Sequence, residues 1–218
     1  GYRLLTEVNV PEAQKVNLLR IAARGHRSLC LGQGRELAWM RTPGPLAVPD
    51  VLDIFRMKTA PAFEVALRLG AILAGCDEQV HEALRRYSES LGIAYQIRDD
   101  LDDLRSPRKD ELLDGTRPSV LLALAQEKAA EAGGERREAG GRPPACGRQP
   151  AAFPPDVEAA AWRLMEAHKA QAIGSLMALK NAGLKGLLRR VIGKIFNDFD
   201  VMGCCNDPGA GHAPDRGQ

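Results

Sequence analysis

Apolar residues recur at helical spacing along almost the whole chain, and no segment shows the alternation of apolar and polar residues that is typical of a strand. Aromatic residues make up only 5% of the 218 residues, whereas alanine and leucine, which favour helices, are frequent. The length suffices for one domain with a hydrophobic core. The sequence therefore predicts an all-α fold in the form of a helical bundle.

Prolines and loop-forming residues divide this pattern into successive helices. The predicted helices comprise residues 16–39, 48–60, 63–75, 77–104, 119–132, 156–180 and 184–199. Pro61 separates the second from the third, and because the residue before a proline disfavours helical geometry, we expect a kink beside Lys58 and Thr59. Asp77 is suited to cap the helix that follows it.

Two segments carry no periodic apolar face. Residues 132–155 are rich in glycine, proline and arginine, and they are predicted to form a flexible insertion. Residues 203–218 are predicted to be a disordered tail. The predicted helical domain therefore comprises residues 1–202.

Charge and cysteine content exclude several classes of function. The net charge is +2, which gives no reason to expect nucleic acid or an anionic membrane as a partner. No apolar run is long enough to span a bilayer and no signal peptide is visible, and the scattered cysteines are expected to be reduced thiols in a cytoplasmic setting. The five cysteines show no CxxC spacing, which argues against a disulfide framework or a zinc site.

The segment LGIAYQIRDDLDDL, residues 91–104, holds a dense cluster of acidic side chains. On a helix its apolar residues form a core stripe, which comprises Ile93, Ile97, Leu101 and Leu104. Another side of the helix carries Gln96, Asp99, Asp100 and Asp103. Because neighbouring carboxylates repel one another, the cluster favours a bound divalent cation such as magnesium, which prefers oxygen ligands. The alternative is a solvated acidic face whose charge is partly offset by Arg98 and Arg105.

A glutamine followed by DDxxD in this segment resembles the second aspartate-rich motif of the trans-prenyltransferases, the family of farnesyl, geranylgeranyl and polyprenyl diphosphate synthases. The resemblance implies a helical bundle of the isoprenoid synthase type. It implies that Asp99, Asp100 and Asp103 bind Mg²⁺ that bridges to an allylic diphosphate, with Asp99 and Asp100 as catalytic residues. Gln96 is then a catalytic and substrate-binding residue that lies near the reacting carbons.

Two upstream segments are similar to further motifs of that family. IFRMKTAPAF, residues 54–63, resembles its Lys-Thr segment, which implies that Lys58 binds the diphosphate and Thr59 positions the substrate, both as catalytic residues. Taken alone, a lysine such as Lys58 is more often simply solvated. LGQGRELAW, residues 31–39, resembles the family's GQ helix, with Glu36 where aspartate is commoner.

The segment RSPRKDELLDGTRPSV, residues 105–120, stands where the family has a loop with two lysines that reach the diphosphate. Lys109 corresponds to the first lysine, and Arg117 is expected to replace the second, because arginine also binds phosphate. The alternative is a solvated loop in which neither residue contacts substrate. The last helices, residues 168–196, resemble the closing helices of the family.

One motif of the family is missing from this chain. The family has a first DDxxD motif on an earlier helix, and no such motif precedes Gln33. The resemblance therefore covers the C-terminal part of the fold, with the N-terminal helices absent. We expect the 218-residue chain to be inactive by itself and to leave three apolar side chains of its first long helix without partners: Leu18, Ile21 and Leu29.

The resemblance implies an activity for the intact protein. It is the Mg²⁺-dependent condensation of an allylic diphosphate with isopentenyl diphosphate, performed by a homodimer. Two alternatives remain open: a non-catalytic subunit that regulates a complete partner in a heterodimer, and a terpene cyclase or head-to-head synthase of the same fold. The Lys-Thr segment and the GQ helix favour the chain-elongating class.

Overall fold

The computed structural model describes residues 1–105, 117–134 and 153–198. Every regular element in these ranges is a helix, which confirms the predicted all-α fold. The helices are α1 (Tyr2–Glu7), α2 (Glu12–Arg41), α3 (Val48–Lys58), α4 (Ala60–Leu73), α5 (Glu78–Asp103), α6 (Val120–Gly134), α7 (Pro155–Ser175) and α8 (Ala182–Phe196), with a 3-10 turn at Leu176–Ala178. None of the described helices is long and apolar enough to cross a membrane.

The chain divides into two units, residues 1–178 and residues 179–218. In the first unit α5 is the central helix, because it packs against α3, α4, α6 and α7. On the far side of α3 and α4 lies α2, which packs against both. In the second unit α8 begins after Asn181, whose side chain accepts a hydrogen bond from the backbone N–H of Leu184 at 2.9 Å.

Helix α5 follows its sequence closely. Asp77 accepts a hydrogen bond from the backbone N–H of Val80 at 2.9 Å, which confirms the predicted cap. Most of the predicted core stripe is buried, namely Ile93, Ile97 and Leu101. Leu104 is only partly buried, because it follows the last helical residue and lies at the end of the packed surface.

The predicted interruption at Pro61 is present. Helix α3 ends at Lys58, α4 begins at Ala60, and Thr59 lies between them. Thr59 has φ −103° and ψ −45°, which remain in the helical region, so two helices meet here without an intervening loop. We call residues 57–61 the corner.

Several helix boundaries differ from the prediction: α2 begins at Glu12 rather than at residue 16, and α8 ends at Phe196 rather than at residue 199. Helix α7 ends at Ser175 rather than near residue 180, and the Ser175 hydroxyl donates to the carbonyl of Ala172 at 2.7 Å. Such a bond to the helix's own backbone competes with regular helix continuation. The short helix α1 is not predicted, because its six residues are too few to show a periodic apolar face.

The helices on both sides of the predicted insertion, residues 132–155, extend into that range. Helix α6 continues to Gly134, and α7 begins at Pro155, a residue favoured in the first turn of a helix. Residues 135–152 lie outside the described residues, as does the predicted tail, residues 203–218.

Three apolar side chains of α2, those of Leu18, Ile21 and Leu29, were expected to lack partners, and this expectation is wrong for the first two. Leu18 is 1% exposed and Ile21 is 8% exposed, and both form a core cluster with Ile72 of α4. Leu5 of α1 packs against the same cluster. Leu29 remains 41% exposed. Helices α1 and α4 thus cover the N-terminal half of this face of α2.

Candidate active site at the corner

A chain of hydrogen bonds joins the corner to the acidic part of α5. The hydroxyl of Thr59 donates to the Gln96 side-chain oxygen at 3.0 Å. The amide nitrogen of Gln96 in turn donates to Asp99 Oδ2 at 3.1 Å. Gln96 is buried, whereas Asp99 is exposed. The Lys-Thr segment and the aspartate-rich segment are therefore in direct contact.

Lys58, next to Thr59 in the corner, is paired with a carboxylate of α2. Its Nζ donates to both oxygens of Glu36, at 2.8 and 2.6 Å. Gln33 donates its amide N–H to Glu36 Oε2 at 2.8 Å. The side chains of Lys58 and Glu36 are only 29% and 11% exposed. Lys58 is therefore held in place from α2 rather than freely solvated, and its contact with a diphosphate stays a prediction.

Two glycines let the neighbouring helices touch the corner backbone. A Cβ atom on Gly32 of α2 would lie 2.7 Å from the backbone nitrogen of Lys58, and one on Gly92 of α5 would lie 2.6 Å from Cα of Ala60. Both distances are too short for any real Cβ contact. Only glycine allows this approach at either position. The backbone of the corner is therefore packed directly against α2 at Gly32 and against α5 at Gly92.

This packing predicts different effects for two glycines of α2. Gly32→Ala is expected to lower the free energy of unfolding by about 1–3 kcal/mol, because the backbone at Lys58 must move away. A Cβ atom on Gly34 would meet nothing within 4 Å. Gly34→Ala is therefore expected to stabilise the helix by up to about 1 kcal/mol. Urea unfolding of both variants measures the difference, and equal effects would contradict the close approach.

Asp100 lies beside Asp99 in sequence but in a different environment. Its side chain is buried, and Oδ2 accepts a hydrogen bond from the backbone N–H of Val120 at 3.0 Å. Arg117 Nη2 contacts Asp100 Oδ1 at 3.1 Å and Asp103 Oδ2 at 2.6 Å. Asp100 thus ties the start of α6 to α5, and Arg117 joins two aspartates of the acidic motif.

Burial raises the pKa of the Asp100 carboxyl to about 7. The Val120 N–H and the Arg117 guanidinium act against this rise in the pKa, whereas the nearby charges of Asp99 and Asp103 add to it. Of the two arginines that were expected to offset the charge of the acidic segment, Arg98 pairs with Asp102 of that segment at 3.1 Å, whereas Arg105 lies 5.6 Å from the centre of the Trp162 ring. Because Asp100 is buried, the solvated-face alternative is wrong for this residue.

The acidic motif has the donor chemistry of a site for a hard divalent cation, since its carboxylate oxygens are the ligands that magnesium prefers. Asp99 is exposed, and its described polar contact is the one from Gln96. Asp100 and Asp103 hold Arg117, which neutralises them as a cation would. Within residues 1–105, 117–134 and 153–198, no three metal-binding side chains are already arranged around one point.

The structure therefore brings together most of the predicted site residues. Thr59, Gln96 and Asp99 form one hydrogen-bonded chain, and Arg117 joins Asp100 to Asp103. Lys58 is adjacent to Thr59 but is bound to Glu36. Lys109 lies outside the described residues.

Sequence reasoning missed two partners: Glu36, which binds Lys58, and the backbone N–H of Val120, which donates to Asp100. Both contacts join residues that are about twenty positions apart. The sequence held a signal for the first of these contacts, because Glu36 lies in the GQ segment and a buried acidic side chain needs a partner. No signal in the sequence indicates the Val120 contact.

Comparisons with known proteins show similarity to one family. Residues 1–112 match the family model described as polyprenyl synthetase. The short chain isoprenyl diphosphate synthase of Methanocaldococcus jannaschii is 30% identical over 92 residues, which are 42% of this chain and 28% of that protein. The farnesyl diphosphate synthase of Haemophilus influenzae is 28% identical over 146 residues, with 60% of this chain and 49% of that protein covered.

A solved structure shows the same fold. The geranylgeranyl pyrophosphate synthetase from the archaeon Geoglobus acetivorans superimposes with a TM-score of 0.72 at 21% identity, over 89% of this chain and 61% of that one. The chain spans about a quarter to a half of the length of the two curated relatives above.

Proposed function

The chain belongs to the polyprenyl synthetase family, and from this premise we propose that the full protein is a prenyl diphosphate synthase. It joins an allylic diphosphate to isopentenyl diphosphate and releases inorganic diphosphate. The double bond of isopentenyl diphosphate attacks the allylic carbon as the carbon–oxygen bond to the diphosphate breaks, and loss of a proton completes the product. The relatives reported above carry the names of diphosphate synthases, which favours chain elongation over cyclisation.

The observation that carries this proposal is the hydrogen-bonded chain from Thr59 through Gln96 to Asp99. These hydrogen bonds join the Lys58 end of α3 to the acidic end of α5, which supports the proposal that both belong to one site. A site for a diphosphate and its counter-cation needs positive charge and oxygen ligands side by side. The corner supplies the positive charge through Lys58, and α5 supplies the oxygen ligands.

We propose that Asp99, Asp100 and Asp103 hold Mg²⁺, which when bound would neutralise charge on the departing diphosphate. Asp99 is the most accessible of the three. Asp100 and Asp103 must exchange their contacts with Arg117 to take part. Arg117 is then released to bind a diphosphate oxygen, and Lys109 is proposed to act beside it.

The remaining residues bind and orient the substrate. Lys58 is proposed to bind the diphosphate, for which its ammonium group must share or leave the Glu36 carboxylate. Thr59 and Gln96 are proposed to position the allylic chain, because their side chains are already fixed by each other.

We also propose a homodimer that works in the cytoplasm without nucleic acid. Exposed apolar side chains of α2, such as Leu31 and Leu37, support such self-association.

A product assay with the full-length protein tests the proposed function. The protein is incubated with magnesium, labelled isopentenyl diphosphate and, in separate reactions, dimethylallyl, geranyl or farnesyl diphosphate. We expect a labelled product one or more isoprene units longer, and none when a chelator removes the metal. Cyclic hydrocarbons formed without isopentenyl diphosphate would support a cyclase instead. Product formed only after a second, complete synthase subunit is added would support the regulatory alternative.

A further inference from the structure

Pro61 leaves one backbone carbonyl of the corner without its usual helical partner. In a continuous helix the N–H of residue 61 would donate to the carbonyl of Met57, four residues earlier, but proline has no N–H. A different helix supplies a donor: the hydroxyl of Ser28 in α2 donates to the Met57 carbonyl at 3.3 Å. Ser28 thus takes the place of the amide that the proline lacks.

Ser28 belongs to a row of residues on one face of α2, at helical spacings of three, four and four. The row comprises Gly25, Ser28, Gly32 and Glu36. Each member contacts the corner or the first turns of α4. Gly25 faces Val65 and Pro61, Gly32 faces the backbone at Lys58, and Glu36 binds the Lys58 ammonium group. The serine hydroxyl therefore lies between the contact of Gly25 with the Val65 and Pro61 side chains and the contact of Gly32 with the corner backbone.

The direction of this hydroxyl is informative. A serine within a helix commonly donates to a carbonyl of its own helix, three or four residues earlier. Ser175 does so, with its hydroxyl on Ala172. Ser28 instead donates to a carbonyl 29 positions away in sequence. Its contact therefore fixes the corner rather than α2 itself.

We propose that Ser28 is a positioning residue for prenyl transfer, an inference that rests on the proposed function above. Its hydroxyl fixes the Met57 carbonyl, and through the peptide that follows it fixes the backbone from which the Lys58 and Thr59 side chains project. Ser28 acts through the backbone and contacts no substrate. Loss of the hydroxyl should therefore loosen diphosphate binding without removing any group that touches the diphosphate.

The first test compares Ser28→Ala with Ser175→Ala in the full-length protein, since each removes a partly buried serine hydroxyl bonded to a carbonyl. Binding of an unreactive thio-analogue of geranyl diphosphate is measured with magnesium by calorimetry, beside thermal unfolding. We expect both variants to lose a few degrees at most in Tm. Only Ser28→Ala should weaken analogue binding, by about threefold to tenfold, the loss that corresponds to one neutral hydrogen bond.

The second test uses Pro61→Ala, which restores an amide that can donate to the Met57 carbonyl. In that background Ser28→Ala should weaken analogue binding less than about twofold, because the two donors substitute for one another. Ser28→Thr, which keeps a hydroxyl, should restore most of the affinity in the parent background.

Three outcomes would overturn the inference. The first is a Ser28→Ala variant that melts earlier but binds the analogue as the parent does, since the serine would then be structural only. The second is an equal loss of affinity with and without Pro61. The third is a parent protein that binds no analogue with magnesium present, which would overturn the proposed function and this inference with it.

Discussion

Asp99→Ala is expected to lower turnover of the full-length protein by at least about a hundredfold and to leave its thermal stability unchanged. Asp99 is exposed; its removal takes one acceptor from the Gln96 amide but also relieves repulsion within the acidic motif, so the two effects on stability oppose one another. The loss of turnover follows because a group that stabilises charge in the transition state commonly contributes about two to three powers of ten in rate. Turnover and the thermal midpoint are measured on the same preparation.

The neighbouring residue gives the matched comparison. Asp100→Ala leaves the backbone N–H of Val120 without its acceptor and removes one of the two carboxylates on Arg117. We expect it to lower the free energy of unfolding by about 1–3 kcal/mol, the penalty for an unsatisfied buried donor. Asp100→Asn retains an oxygen that can accept from Val120 and should recover part of this loss. Equal stability of the Asp99 and Asp100 alanine variants would show that the burial of Asp100 is of no consequence.

Lys58→Ala is the second substitution with a large expected effect. The proposed diphosphate contact is lost, and we expect binding of the thio-analogue to weaken by about tenfold to a hundredfold, the range for a hydrogen bond to a charged group. Stability should fall as well, because the mostly buried carboxylate of Glu36 loses its cation. Calorimetric titration and urea unfolding measure the two effects separately.

Arg56 provides the control for Lys58. It lies two residues earlier on the same helix and pairs with Asp53 at the surface, where it is 46% exposed. Arg56→Ala removes the same charge, but an exposed ion pair contributes only about 0–1 kcal/mol. We expect analogue binding to change by less than about twofold. A loss as large as that of Lys58→Ala would mean that the net charge of α3, rather than a contact by Lys58, determines affinity.

Local features of this fold could be predicted from the sequence, because they depend on neighbours in the chain. The core stripe of α5, its cap at Asp77 and the interruption at Pro61 each follow from spacing or from the chemistry of one residue. The grouping of Gln96 with Asp99 follows in the same way from one helical turn. These features cover the acidic half of the candidate site.

The other half depends on contacts between helices. Whether Lys58 faces solvent or Glu36 depends on the distance between α2 and α3, which Gly32 determines by lacking a side chain. The different environments of Asp99 and Asp100 depend on where α6 begins, since Val120 supplies the buried hydrogen bond. Periodicity gives the face on which a residue lies but not the element that covers this face.

The close approach of α2 and α5 to the corner bears on the entropy of substrate binding. A binding loop that is ordered only by its ligand loses conformational freedom at that moment, and this loss lowers affinity. Here Gly32 and Gly92 place helix backbone directly against the corner, and Glu36 restricts the long side chain of Lys58. These groups therefore lose their conformational freedom when the protein folds rather than when a ligand binds. We therefore expect the proposed diphosphate binding at the corner to reorganise one ion pair and to require no ordering of the corner backbone.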